Sequence, residues 1–280
     1  MVVPDLSTLR TQLRQLRWVA YSPTNYNPNV SPPIIPSEAS MAADLKTLRA
    51  YGFTGLITYG AQLTAIPRLA AAADFKSMLV GVWDPNSAAE LQLAKDAAAQ
   101  EIVAGILVGN EGISFSRYTL PDLQRAVAEV RLQTKKPVST TEIYERYFSI
   151  PELLTLGDFV TVNAHPFFHG QEMRDPQRAV DWTVTAYREL AKLSDKPLLL
   201  KEVGLPSEGE PGLSEKNQAR YYELLSDSPV TFCWFEAFDQ PWKDWGAVEK
   251  YWGIFHADRS PKQAVQRTRR PRSSPSRPIQ

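Results

Sequence analysis

The stretch Val103-Ala-Gly-Ile-Leu-Val-Gly-Asn-Glu111 is apolar without alternation until it breaks into glycine, an amide and a carboxylate. A strand covered on both faces needs such an unbroken run, which is the habit of parallel sheets. Pro197-Leu-Leu-Leu-Lys-Glu-Val-Gly204 repeats the pattern and again ends at a glutamate beside a glycine. Further strand-like runs lie at 18–23, 52–60, 77–84, 137–144, 159–167 and 230–239, which makes eight. Helical segments fill the gaps. Ser87 with Glu90, Ser149 with Glu152 and Thr119 with Asp122 have N-terminal capping spacing. Met41, Leu45 and Leu48 share a helical face, and Asp175-Pro176 opens another helix. Strand and helix in eight alternations predict an α/β fold, the (β/α)8 TIM barrel, as a single domain over 1–267 with no large subdomain. A doubly wound sheet would want a glycine-rich phosphate loop after the first strand, and Tyr21-Ser-Pro-Thr-Asn-Tyr-Asn-Pro28 does not supply one.

Composition narrows the partners. The 280 residues carry 31 Lys and Arg against 31 Asp and Glu, so no whole-chain field attracts a polyanion and nucleic acid is not expected. Cys233 is the single cysteine, which leaves no intrachain disulfide. No run approaches the roughly 18 apolar residues of a membrane span, and the first residues lack a signal-peptide core. A monomer is expected. Residues 268–280 are basic and rich in proline, serine and arginine, and are expected to be a disordered tail.

Barrel enzymes act at the C-terminal ends of their strands. There the chain offers Tyr59, Asn110 and Glu111, Glu142, Asn163 and His165, Glu202, and then Trp234, Glu236 and Phe238, with Trp242 in the following loop. Carboxylates among aromatic rings describe a sugar cleft, in which ring faces stack on pyranose C–H faces and polar groups bind hydroxyls. An ionised carboxyl at the end of a buried strand is costly, and two in equivalent settings suggest an acid and a nucleophile facing one bond. A retaining glycosidase holds such a pair about 5–5.5 Å apart. Glu142 is read as a third carboxylate, which binds substrate or tunes Glu111, or as the partner of a neighbouring arginine. Trp242 and Trp245 are either a sugar platform or loop packing. His165 and His169 flank Pro166, so helical zinc-ligand spacing does not apply and no metal or other cofactor is expected. Lys201 admits a Schiff-base aldolase, but strand alternation sends Lys201 and Glu202 to opposite sides unless the strand bulges. A non-catalytic glucan-binding barrel is a further alternative.

The segments Val108-Gly-Asn-Glu111, Lys201-Glu-Val-Gly-Leu-Pro-Ser207, Phe235-Glu-Ala-Phe-Asp-Gln-Pro-Trp-Lys243 and Tyr251-Trp-Gly-Ile-Phe255 together resemble glycoside hydrolase family 17, as a compact, bacterial-like member. The resemblance implies a retaining barrel acting on β-1,3-glucan by hydrolysis or glucanosyl transfer, with Glu111 as acid/base and Glu202 as nucleophile. It implies further that Asn110 binds the sugar 2-hydroxyl, that Tyr59 lies close to the reaction centre, and that Glu236 and nearby aromatics line donor subsites. This chain departs from the family pattern at Val203 and Leu205, where many members read ETGWP, and at Gln240, where an acid is common. A glucan substrate implies a periplasmic or extracellular address, and the chain is compatible with a domain of a larger exported or anchored protein.

Overall fold

A computed structural model describes residues 6–268. Eight parallel strands close into a barrel in chain order: β1 (Trp18–Ala20), β2 (Gly55–Ile57), β3 (Ser77–Val82), β4 (Val103–Asn110), β5 (Val138–Ile143), β6 (Val160–Asn163), β7 (Leu198–Val203) and β8 (Phe232–Trp234). The helices are α1 (Ser7–Gln15), α2 (Glu38–Ala50), α3 (Ile66–Ala72), α4 (Ala88–Ala98), α5 (Leu120–Thr134), α6 (Arg146–Ser149), α7 (Glu152–Leu156), α8 (Pro176–Leu193), α9 (Glu215–Ser226) and α10 (Gln263–Thr268). β1 pairs with β8 through Trp18 opposite Cys233, which closes the ring. The barrel expectation is met. The tail expected over 268–280 lies outside the described residues, apart from Thr268 at the end of α10.

The central strands are buried along their length, as their unbroken apolar runs require. Met41, Leu45 and Leu48 face the core from α2 as expected. Asp175 caps α8, and Thr119 with Asp122 forms a reciprocal capping box on α5. Ser87 caps α4 through Glu90 N, whereas the Glu90 carboxylate turns to accept from Trp83 N and Asp84 N, pinning the loop after β3. The Ser149–Glu152 cap does not form. Pro151 occupies the cap of α7 and Ser149 Oγ instead donates to carbonyls within its own short helix.

Candidate active site

The mouth of the barrel is shaped first by backbone. Gly109 has a φ of 80°, and a Cβ there would lie 2.4 Å from the Tyr118 hydroxyl. At Gly112 the same atom would lie 1.9 Å from the Tyr118 ring, so both glycines are needed for Tyr118 to cover this turn. Between them Glu111 takes a φ of 56°, a left-handed step that a non-glycine residue adopts at a cost of about 1–3 kcal/mol. Its N–H donates to Thr141 O at 2.8 Å, tying the turn to β5. Arg117 donates to Asn110 O and lays its guanidinium 4.0 Å from the Trp83 ring centre.

Glu142 is not in the cleft. It is fully buried and accepts from Ile113 N at 2.8 Å, Ser114 N at 3.2 Å and Ser114 Oγ at 2.7 Å. Its carboxylate, raised by burial against these donors, anchors the loop that carries Glu111. Its oxygens are engaged on this loop, with Arg146 a lesser influence.

The register of β7 slips against both neighbours, where Val162 and Asn163 of β6 face Leu200 and Glu202, and where Phe232 and Trp234 of β8 face Leu200 and Val203. This irregularity answers the alternation argument, because Lys201 and Glu202 both reach the mouth. Lys201 Nζ donates to Glu202 Oε1 at 2.8 Å and to Asn110 Oδ1 at 2.7 Å. Asn163 Nδ2 donates to the same Asn110 oxygen at 3.1 Å and to Glu111 Oε1 at 2.8 Å. An ammonium can only donate, so the Asn110 atom facing it must be the oxygen. One hydrogen-bonded chain thus runs Glu111, Asn163, Asn110, Lys201, Glu202. His165 Nε2 lies 3.1 Å from Glu202 Oε2, on the other side of the carboxylate.

The two carboxyls are pushed in opposite directions. Burial raises Glu111, and the Glu202 charge adds to the rise against the hydrogen bond from Asn163. Burial would also raise Glu202, but Lys201, assisted by His165, overcomes it and holds the carboxyl at about 2. The two groups are therefore pushed apart, Glu111 toward holding its proton and Glu202 toward the ionised form.

Tyr59 stands beside the pair, its hydroxyl pushed well above the usual phenol range by burial and then by Glu202 and Glu236. Glu236 is fully buried, accepts from Lys243 Nζ at 2.6 Å, and is pushed up to about 7 by burial against that cation. Trp242 is half-buried, donates to Gln240 Oε1 at 2.8 Å and meets Trp245, which is 60% exposed, at a tilt of 56°. Gln240 is itself buried and donates to Ser22 O at 3.0 Å.

Two expected contacts fall elsewhere. Trp234 is completely buried against Tyr221 and Tyr222 of α9, on the outer face of β8. Phe238 is buried between Tyr21 and Phe255. Strand-end position alone does not tell which face a ring occupies, and here both rings are buried in packing contacts. His165 and His169 also diverge. His169 stacks on Trp182 at 4.1 Å and approaches Glu145, whereas His165 is partnered with Glu202.

Two contributors were not singled out from sequence. Trp252 packs its ring against His165 at 5.0 Å and Phe235 at 5.4 Å, backing the imidazole. Lys243 comes from a loop without periodicity, and its contact with Glu236 seven residues earlier depends on how that loop folds back.

A closed barrel whose mouth joins a raised and a depressed carboxyl through shared hydrogen bonds defines a glycoside hydrolase of the paired-carboxylate class. The BtgE/BtgC glycoside hydrolase domain matches residues 19–253, and the chain belongs to that family. The resemblance to family 17 is borne out. A glucan 1,3-beta-glucosidase of Arthroderma benhamiae is 29% identical over 260 residues, covering 80% of this chain and 83% of that protein. A putative glucan endo-1,3-beta-glucosidase, btgC, of Aspergillus niger is 27% identical over 82% of this chain, which spans only 40% of that longer protein. Among solved structures, the family 17 beta-1,3-glucanosyltransferase of Rhizomucor miehei superposes with a TM-score of 0.73 at 21% identity, covering 90% of this chain and 97% of the other.

Proposed function

We propose that the chain is a retaining enzyme that cleaves β-1,3-glucan by double displacement. Glu202 attacks the anomeric carbon while Glu111 gives its proton to the departing oxygen. The bond to Glu202 then breaks as Glu111 takes a proton from the acceptor, either water or a sugar hydroxyl. The observation that carries this reading is the hydrogen-bonded chain joining the two carboxyls with their opposite displacements.

The remaining polar groups suit a hydroxylated ligand. Because the Asn110 oxygen is occupied, its amide N–H is the group left to donate to the sugar 2-hydroxyl. Tyr59 Oη, Asn163 Oδ1 and Glu236 Oε2 are buried without a protein partner of good geometry, and buried polar atoms of this kind gain most from a hydrogen-bonding ligand. Phe168 is 62% exposed with its ring 6.0 Å from that of His165, which offers an apolar face to a pyranose ring.

Lys201 is 1% exposed and its ammonium is engaged on two oxygens, so no free amine awaits a carbonyl. This disfavours the aldolase reading. Among the described residues no helix is long and apolar enough to cross a membrane. The Candida albicans relative is a cell surface mannoprotein, and together with a glucan substrate this supports an extracytoplasmic address.

Incubation with laminari-oligosaccharides tests the assignment. Products longer than the substrate identify transfer, and only shorter ones identify hydrolysis. Oligosaccharides bound but unchanged would leave a binding protein and overturn the catalytic reading.

A further inference from the structure

Lys201 is the buried cation that the double displacement leaves without a task. Its ammonium meets Glu202 Oε1 at 2.8 Å and Asn110 Oδ1 at 2.7 Å, and lies 4.2 Å from the centre of the Tyr59 ring. The opposite oxygen of Glu202 faces His165. The carboxylate is therefore held from both sides, and Lys201 is its charged arm.

A fixed cation here does not act equally on the two halves of the reaction. In the first half the Glu202 carboxylate loses its charge as it forms the bond to the anomeric carbon. In the second half that bond breaks, the electron pair returns to Glu202, and the charge is restored beside Lys201 while Glu111 takes the acceptor's proton. Only interactions stronger in a transition state than in the state before it accelerate that step. A neighbouring ammonium meets this condition in the second half and opposes it in the first.

We propose that Lys201 is a positioning residue that speeds release of the sugar from Glu202, by holding the departing carboxylate and Asn110 in one place. The proposal rests on the retaining reading above. It concerns Lys201 in a field that contains other groups facing Glu202: His165 after β6, Glu111 at the end of β4, Tyr59 after β2, and Cys233 and Glu236 at β8. None of these is another lysine or arginine, so a neutral side chain at 201 leaves His165 as the remaining group that lowers Glu202.

The test is pre-steady-state release of the aryl alcohol from an aryl β-laminaribioside by wild type, Lys201→Met, Lys201→Gln and Lys201→Arg, with kcat/KM measured against pH. The neutral variants are expected to show a burst of about one equivalent per site followed by slow turnover, as sugar release becomes limiting. Their acid limb is expected to rise by about one to three pH units, the range by which a nearby opposite charge shifts a carboxyl. Lys201→Arg keeps the charge and is expected to keep the limb low. A neutral variant that folds and shows no burst would overturn the role of Lys201, whatever its acid limb. If Met does not fold at this buried site, Gln gives the reading. Labelling of Glu202 in wild type by a 2-deoxy-2-fluoro glycosyl inactivator is the separate check on the retaining mechanism. Absence of that label would sink the mechanism itself, whereas label with no burst sinks only this inference.

Discussion

At the scale of single residues, each proposed role makes its own demand. Glu111→Gln removes the proton donor, and activity on substrates with poor leaving groups is expected to fall by about 10² to 10⁴. Glu202→Gln is expected to abolish turnover, with quantified product release as the measure of both. Because Glu202 is held at about 2 and Glu111 is raised, kcat/KM should form a bell. Its acid limb follows protonation of Glu202, below the ordinary carboxylate range, and its alkaline limb follows loss of the Glu111 proton, above that range. Asn163 lowers Glu111 through its hydrogen bond, so Asn163→Ala should move the alkaline limb upward. It should also slow kcat roughly ten- to hundredfold, the worth of about 1.5–3 kcal/mol for a hydrogen bond to a charged group. An unmoved limb would show that Asn163 does not govern the proton of Glu111. Glu111 and Glu202 were legible in the sequence because each closes an apolar run. Lys201 was legible only as a rival chemistry, since alternation argued against it and the register slip in β7 leaves no local trace in residue type.

At the scale of elements, the loop after β4 decides whether Glu111 is correctly presented. Glu142 collects three donors from that loop. Glu142→Ala should leave two N–H groups and a hydroxyl without their acceptor, at about 1–3 kcal/mol for each that stays buried. Denaturant unfolding would measure the loss, and kcat should fall more than KM rises. Wild-type kcat in a destabilised variant would sever the link between this anchor and catalysis. The strands and the caps at Thr119 and Asp175 could be read because spacing and residue chemistry act within a few positions. The fates of Trp234, Phe238 and Glu142 could not. Each depends on a partner brought by another element, α9 for Trp234, the 251–255 segment for Phe238, and residues 113–114 for Glu142. Residue type announces burial in these cases and leaves its direction open.

At the scale of the whole molecule, the segment after the last strand fastens the barrel. Arg259 donates from Nε to Asp44 Oδ1 at 2.6 Å, and the same buried carboxylate accepts from Tyr21 and Thr24. Lys262 joins Asp239 and Ser207 at 2.7 and 2.8 Å. Asp44→Ala strands Arg259 and the β1 loop donors, and is expected to cost about 3–5 kcal/mol of unfolding free energy. Glu236 gives the stability a pH dependence of known sign. Its pKa is raised from 4.5 to about 7 on folding, so the folded protein holds the proton more tightly and stability falls as pH rises across that window, at about 1.4 kcal/mol per unit of separation. Glu236→Gln should flatten the Tm profile over this interval, and an unchanged slope would assign the effect to other groups.

The two carboxylates hang from backbones of different kinds. Around Glu202 the chain is woven into the closed sheet, with its carbonyl accepting from Ala164 and that of Val203 accepting from Phe235. Glu111 stands one residue past its strand, on a left-handed step held by a loop. In a two-stroke reaction one group must keep its place while the other serves two molecules in succession. The sheet fixes the nucleophile and an anchored loop fixes the proton carrier, so changes confined to residues 112–118 should disturb both strokes through Glu111 while leaving Glu202 where it stands.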